Sequence, residues 1–455
     1  MIRKLSLSNF KSWSSIENKK FEKLTGLFGT NSSGKTSLIQ FLLLLKQTIA
    51  SSDRTQVLNF GTDKDPVALG SYRDVIHNHL QEQELSFELS FDLNESIDIK
   101  DTEEKSKVLF SANKLNFGCN IFEAKSKRLC LNSLFYSFSD NKFTMKKNKE
   151  KNTYTITSQP TSDKKQFKFT RTRGRIWELP APIKFYGFPD QVRTYYQNAG
   201  FLFDLQLELE KQFSNIYYLG PLREYPKRQY NWVGMQPSDM GQRGERVIEA
   251  LLASRLNNLK ISRGHGRKSY SLEQYVAYWL QKLGLIDSFR IEEVGNGSNI
   301  YNVLVKKNKN SSEVLITDVG FGVSQILPVI TLCYYVPEGS TLLIEQPEIH
   351  LHPSVQAGLA DVFIDAIQKK NIQIVLESHS EHLLRRLQRR VAEEKVNNDF
   401  VKLYFCSNDT TQSKLTNLEM DLFGNIINWP DNFFGDEIGE MTAMNEAIIE
   451  RKMKK

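Results

Sequence analysis

The sequence predicts an α/β fold, a mixed sheet flanked by helices, interrupted by an inserted lobe that is first β-rich and then helical. Three observations carry that expectation. Leu24 to Phe28 reads as an apolar strand that runs through a glycine-bounded loop into a Leu-rich helical stretch from Gly34 to about Ile49. Far downstream, the apolar runs Thr341 to Ile344 and Ile372 to Leu376 flank a helical pattern near 354 to 368, the order of two parallel strands joined by a crossover helix. Between these flanks the pattern changes to short alternating runs and then to helical ones.

In chain order, residues 2 to 10 alternate apolar and polar, as a half-buried strand does. The alternating runs Leu85 to Phe91, Lys114 to Phe122, Phe135 to Phe138, Tyr154 to Thr157 and Phe167 to Thr170 read as antiparallel strands, separated by Lys- and Asn-rich turns. The basic block Lys142 to Lys151 reads as a solvated hairpin tip rather than a nucleic-acid clamp. Phe203 to Phe213, Gly244 to Leu256 and Leu272 to Leu283 read as helices. The chain is thus expected to divide into a first part of the core (1–83), a β-rich insertion (84–199), a helical lobe (200–295), a second part of the core (296–385) and a short C-terminal module (386–455). No repeat and no long heptad stretch is visible.

Composition bounds the function classes. A net charge of +7 on 455 residues permits a nucleic-acid partner without demanding one. Cys119, Cys130, Cys333 and Cys406 are far apart and form no C-x-x-C pair, so neither a zinc site nor a disulfide framework is expected, and free thiols in a reducing cytosol are. Met1 to Lys4 leads straight into alternating residues, so no signal peptide is expected. The longest apolar stretches, Phe41 to Leu45 and Leu327 to Val336, fall short of the ~20 residues a membrane span needs. A cytoplasmic protein without a membrane partner is the expectation.

Four motifs carry chemistry. Gly29-Thr30-Asn31-Ser32-Ser33-Gly34-Lys35-Thr36 matches G-x-x-x-x-G-K-[ST] in full. Phosphates need many donors in a small concave space, and glycines let successive backbone N–H groups point inward. The helix that follows adds the positive end of its dipole. Gly29, Asn31, Ser32, Ser33, Gly34, Lys35, Thr36 and Ser37 are therefore the expected cradle of ATP, with Thr36 on Mg²⁺. The second motif is Leu342 to Pro353, an apolar strand ending in Glu345, which is expected to hold the Mg²⁺ shell. The third is Asp318 to Gln325, where Gly320, Gly322, Ser324 and Gln325 at a helix start can form a second anion site. The fourth is Glu377-Ser378-His379-Ser380, which puts a histidine at a strand end where it can sense the γ-phosphate.

Taken together and in this order, these motifs resemble the ABC-type ATPases of the RecF, SMC and overcoming-lysogenization-defect group, and the opening Leu7 to Ser12 is similar too. The resemblance covers about residues 1–80 and 300–385. It implies a P-loop ABC-type ATPase head that closes as a dimer, each ATP lying between one P-loop and the other copy's Gly320 to Gln325. The LHP pattern Leu351-His352-Pro353, the segment Leu219 to Arg223 and the later Gly241 to Glu245 are similar to the branch common in bacterial anti-phage defence operons. Arg223 and Arg228 then either line the nucleotide or dimer interface or lie on the surface.

Two departures qualify that expectation. Gln346 stands where the group carries a catalytic glutamate, and a glutamine orients water but is a poor base. Glu348 either serves instead or braces the following loop; the sequence leaves both open, and slow hydrolysis is expected. After His379 no cluster of acids suits a two-metal nuclease, and Asp431, Asp436, Glu437 and Glu440 read as a solvated loop. The function expected is an ATP-gated sensor that controls a separate effector, a nuclease or toxin, in anti-phage defence. The alternative is a DNA-binding ATPase of repair or recombination.

Overall fold

In the computed structural model of the chain, residues 1–455 are described except 101–107, 150, 162–166, 175–176, 263, 265, 267, 410, 431–432, 436 and 454–455. Ile2, Leu5, Leu7 and Phe10 are the buried residues of β1 (Ile2–Phe10); the strict alternation expected is broken, and the pairing register shifts between Ile2 and Lys4 and between Leu5 and Leu7. Lys11, at φ 50°, turns the chain into β2 (Trp13–Lys20) to close an antiparallel hairpin. The apolar β3 (Leu24–Gly29) then leads into α1 (Lys35–Ala50). After the short α2 (Tyr72–Val75) come β4 (Leu85–Lys100), β5 (Val108–Glu123), β6 (Leu129–Phe138), β7 (Asn141–Lys147) and β8 (Tyr154–Pro160). These five extend the first hairpin into one seven-stranded antiparallel sheet, in the order β2-β1-β4-β5-β6-β7-β8. Strand β1 therefore shares a sheet with the inserted strands, not with β3.

Helices α3 (Gln191–Tyr195) and α4 (Phe201–Ser214) return the chain to β9 (Ile216–Leu219). A lobe follows, built from β10 (Tyr230–Asn231), α5 (Val247–Leu256), the small hairpin β11 (Lys260–Ile261) and β12 (Tyr270–Ser271), α6 (Leu272–Lys282), β13 (Ser288–Glu293), β14 (Ile300–Lys306) and β15 (Val314–Leu315). Ser271 and Gln274 form a capping box that starts α6. Then come α7 (Gly322–Tyr335), β16 (Thr341–Glu345), α8 (Pro353–Lys370), β17 (Gln373–Glu377), α9 (Glu381–Ala392), β18 (Val401–Asn408), β19 (Ser413–Leu418) and α10 (Glu437–Met453).

The second large sheet has the order β19-β18-β3-β17-β16-β9. Strands β18, β3, β17, β16 and β9 run parallel, and β19 closes the edge antiparallel to β18. Both faces are covered, which is why β3, β16 and β17 are apolar runs instead of alternating ones. Leu343 and Val375 point into one core with the leucines of α1. Leu342, Ile344, Ile374 and Leu376 point into the other with α7 and α8. Helix α1 lies between the two large sheets, and Phe41 meets Phe10 and Phe87 edge-on at ring distances of 5.3 and 5.1 Å. By strand parity the last residues of β16 and β17, Glu345 and Glu377, share the α1 face.

Several readings need correction. Phe167 to Thr170 form no strand; Phe167 and Phe169 pack instead around Phe143, at 5.8 and 6.2 Å. The basic block is a hairpin tip only in its second half: residues 142–147 lie in β7, with Lys142 3.7 Å over the Phe135 ring, while Lys149 and Lys151 are exposed in the turn to β8, where Lys151 pairs with Glu178 at 3.0 Å. The helix expected from Gly244 begins at Val247, because Gly244 adopts φ 69°. Of the acidic stretch, Asp431 and Asp436 lie outside the described residues, and positions 437 and 440 fall in a helix, not a loop. Among the described residues no helix is long and apolar enough to cross a membrane.

Candidate nucleotide site

The loop between β3 and α1 curls through left-handed conformations at Gly29 (φ 137°), Ser32 (φ 59°) and Gly34 (φ 89°). Glycine is forced at both ends. A Cβ at Gly29 would lie 2.0 Å from the Cys406 carbonyl oxygen, and one at Gly34 would meet Ser12, Ser413 and Trp13 within 2.9 Å. The loop is clamped from outside: Trp13 Nε1 donates to the Gly34 carbonyl (3.1 Å) and Asn408 Nδ2 to the Ser32 carbonyl (3.0 Å). Lys35 is buried, and its ammonium donates to the carbonyls of Thr30 (2.6 Å) and Gly29 (3.1 Å). Burial lowers its pKa, against the pull of nearby Glu377.

A cleft of about 350 Å³ opens here, lined by Asn31, Ser32, Ser33, Gly34, Lys35, Thr36 and Ser37 together with Lys11, Ser12, Gln346, Glu377 and His379. The strands deliver the last three. Gln346, at φ 41°, donates its backbone N–H to the Glu377 carbonyl (2.8 Å). Its side chain lines the cleft beside the Glu377 carboxylate and helps to lower that carboxyl's pKa. His379 is half-buried, and burial followed by the charge of Lys35 lowers its pKa, so the neutral ring is favoured.

The two strand-end acids differ. Glu377 Oε2 accepts from the Thr36 hydroxyl at 2.7 Å. Glu345 Oε1 accepts instead from the Tyr218 hydroxyl on β9 (2.9 Å), and its backbone oxygen accepts from Arg223 (3.1 Å). Burial, then the neighbouring Glu377 charge, pushes the Glu345 carboxyl up to about 7. Burial also raises Glu377, opposed by the Thr36 hydrogen bond and Lys35. A P-loop hydroxyl beside carboxylate oxygens suits Mg²⁺, a hard cation that shares its shell with phosphates and water. Glu348 is buried outside the cleft, where its Oε1 accepts from the His379 backbone N–H at 2.6 Å.

The Gly320 to Gln325 loop stands apart from this cleft. Gly320 and Phe321 are exposed, while Ser324 donates to the Phe321 carbonyl (2.7 Å) and Gln325 is buried. Phe321 stacks edge-on against His350 at 5.1 Å, which ties the loop to the turn after Glu345. The segments Leu219 to Arg223 and Gly241 to Glu245 meet: Gly220 N donates to Gln242 O at 2.8 Å. Arg223 is buried, and its Nε and Nη1 have no hydrogen-bond partner among the described residues. Burial brings its pKa down to about 10. Arg228 is exposed and pairs with Asp318 at 3.3 Å.

Residues 242–384 match the AAA ATPase domain family. That stretch takes in the Gly320 to Gln325 loop, Glu345 and His379, while the P-loop carries its own complete motif. Part of the core of the chain is thus similar to an AAA ATPase domain. Residues 396–444 match a family described as a protein of unknown function, DUF3696. No curated protein matches the chain. Among solved structures, the chain is similar to an SMC head bound to the C-winged helix domain of ScpA, at 12% identity and a TM-score of 0.45, covering 92% of this chain and 98% of that one. It is also similar to the SMC head domain from Thermotoga maritima, at 10% identity and a TM-score of 0.42, with 92% and 99% covered.

Sequence reasoning missed Lys11, Ser12 and above all Glu377. The signal for Glu377 was present, an acid closing an apolar strand just before His379. What was absent was the strand order that puts it beside Thr36.

Proposed function

We propose that this chain is an ABC-type ATPase of the SMC and RecF kind, in which ATP binding drives two copies together and hydrolysis slowly resets them. One observation supports this above all. The cleft gathers the P-loop, Gln346, Glu377 and His379, while the glycine-serine loop at 320–325 stands outside it with Gly320 and Phe321 exposed. A loop so placed is free to meet a nucleotide held in another copy's cleft. Within one cleft Lys35 and the curled loop hold the β- and γ-phosphates, and Thr36 with a neighbouring carboxylate holds Mg²⁺. The bound Mg²⁺ supplies charge neutralisation at the phosphate oxygens. Gln346 orients the attacking water, and neutral His379 contacts the γ-phosphate. Glu348, turned to the His379 backbone, acts as a brace that sets the histidine's position. With no carboxylate at 346, proton abstraction is weak and turnover slow.

A nucleotide-timed dimer suits control of a separate effector, a nuclease or toxin. The anti-phage setting is supported by the resemblance of the LHP, Leu219 to Arg223 and Gly241 to Glu245 segments. The test is the mass in solution of the wild type and of Lys35→Ala, with and without ATP and Mg²⁺. ATP is expected to dimerise the wild type only. A wild type that binds ATP but stays monomeric would sink the two-copy reading.

A further inference from the structure

We propose that Glu377, rather than the strand-end acid Glu345 that the motif pattern marks, is the carboxylate that holds the nucleotide's Mg²⁺ with Thr36. The proposal rests on the reading of the cleft as an ATP site and names, within it, the residue that anchors the metal.

The sheet order sets the two acids at different distances from the P-loop. β17 is hydrogen-bonded directly to β3, whereas β16 lies one strand further out. Glu377 pairs in register with Leu27, two residues before Gly29, and Ser378 N donates to the Leu27 carbonyl at 3.1 Å. The Glu377 carboxylate is thereby held within hydrogen-bond reach of Thr36 (2.7 Å) and lines the cleft. Glu345 shares the α1 face with Glu377 but lies one strand further from the P-loop. Its carboxylate is taken by Tyr218 on β9, the neighbour on the side away from β3, and it does not line the cleft. To reach Thr36 it would have to give up the Tyr218 hydrogen bond and displace Glu377.

The arrangement also accounts for Gln346. Mg²⁺ is usually held by one or two carboxylates plus phosphates and water. With Glu377 supplying that acid and Glu345 beside it, a third carboxylate at 346 would crowd like charges into one corner. A neutral amide instead lines the cleft beside Glu377 without adding charge. The change from acid to amide at 346 and the acid at 377 are then one adjustment.

The test uses Mn²⁺ in place of Mg²⁺, titrated into the full chain with a non-hydrolysable ATP analogue and read by the electron paramagnetic resonance of free Mn²⁺. Nucleotide binding in EDTA is read separately with a fluorescent analogue. E377Q is expected to weaken Mn²⁺ about tenfold or more, the scale of losing a group that sets a metal's ligands, while nucleotide binding in EDTA is kept. T36A should do the same and add little to E377Q, and E345Q should stay within about threefold of the wild type. E377D, which keeps the charge on a shorter arm, should fall between, and it decides the matter if E377Q does not fold: wild-type Mn²⁺ affinity in E377D would then overturn the assignment. Tenfold weakening in E345Q with wild-type affinity in E377Q would also overturn it, and would leave the ATP-site reading intact. A wild-type chain that binds no nucleotide with or without metal would remove that underlying reading instead.

Discussion

At the scale of single residues, the candidate site separates groups that would touch the nucleotide, on the proposed reading, from groups that hold those groups in place. Glu348 is the clearest case of the second kind. Its carboxylate accepts the His379 N–H and is buried away from the cleft. Glu348→Gln retains an acceptor, so slow hydrolysis in a single-turnover assay should stay within about threefold of the wild type, whereas loss of a general base would cost about a hundredfold or more. Glu348→Ala leaves the His379 N–H unpaired and should lower stability to urea by about 1–3 kcal/mol. The P-loop could be read in full from the sequence because its chemistry is local: glycines, lysine and threonine act within eight positions of one another. The choice between Glu345 and Glu377 could not. It depends on which strand neighbours which, and apolar strand ends look alike until the sheet is assembled.

Among the elements, the α8–α9 pair that frames the strand ends is stapled by charge. Asp361 on α8 accepts from Arg386 (2.8 Å) and, through both oxygens, from Arg390 (2.5 and 2.7 Å) on α9. Burial alone would raise the Asp361 carboxyl, but the hydrogen bonds and charge of Arg390, with the charge of Arg386, hold it below the ordinary value of 3.8. A depressed folded-state pKa means that this stabilisation is complete above 3.8 and is lost as pH falls through the lower folded value. Asp361→Asn should therefore cost about 2 kcal/mol at neutral pH, as hydrogen bonds to charged groups do, and less in strong acid. Urea melts across pH would check this; an equal cost at every pH would count against it. Most elements were legible from periodicity, as at β3, β16 and β17, where the apolar runs report burial on both faces. Phe167 to Thr170 misled for a physical reason, since alternation also arises where two phenylalanines dip into an aromatic cluster without a strand partner.

Across the whole molecule, the stretch from β18 to β19 packs against the loop of the candidate nucleotide site. β18 pairs with β3 along its length, Cys406 packs its carbonyl on Gly29, and Asn408 and Ser413 reach the loop. Removing residues 401–455 should abolish both folding and nucleotide binding, since β3 would lose a parallel partner in the sheet interior. Removing only 437–455 should spare both, because residues 441–449 of α10 are exposed throughout. Thermal melts and fluorescent-nucleotide titration of the two truncations would decide, and a folded, nucleotide-binding 1–400 fragment would contradict the account. This joining of distant segments was not visible in the sequence, where β18 and β19 read only as a short mixed tail.

The strand that carries the P-loop has a consequence for how the molecule is made. β3 lies between β17 and β18, and the contacts that fix its loop come from 341 and 376 residues later in the chain. On a ribosome, Leu24 to Gly29 emerges as a bare apolar ribbon and waits with both edges open until β17 and β18 have been synthesised. Chains dominated by such distant pairings fold slowly and expose sticky edges meanwhile. Newly made copies should thus depend on chaperones until their last strands arrive, and ATP cannot serve as a folding aid before then.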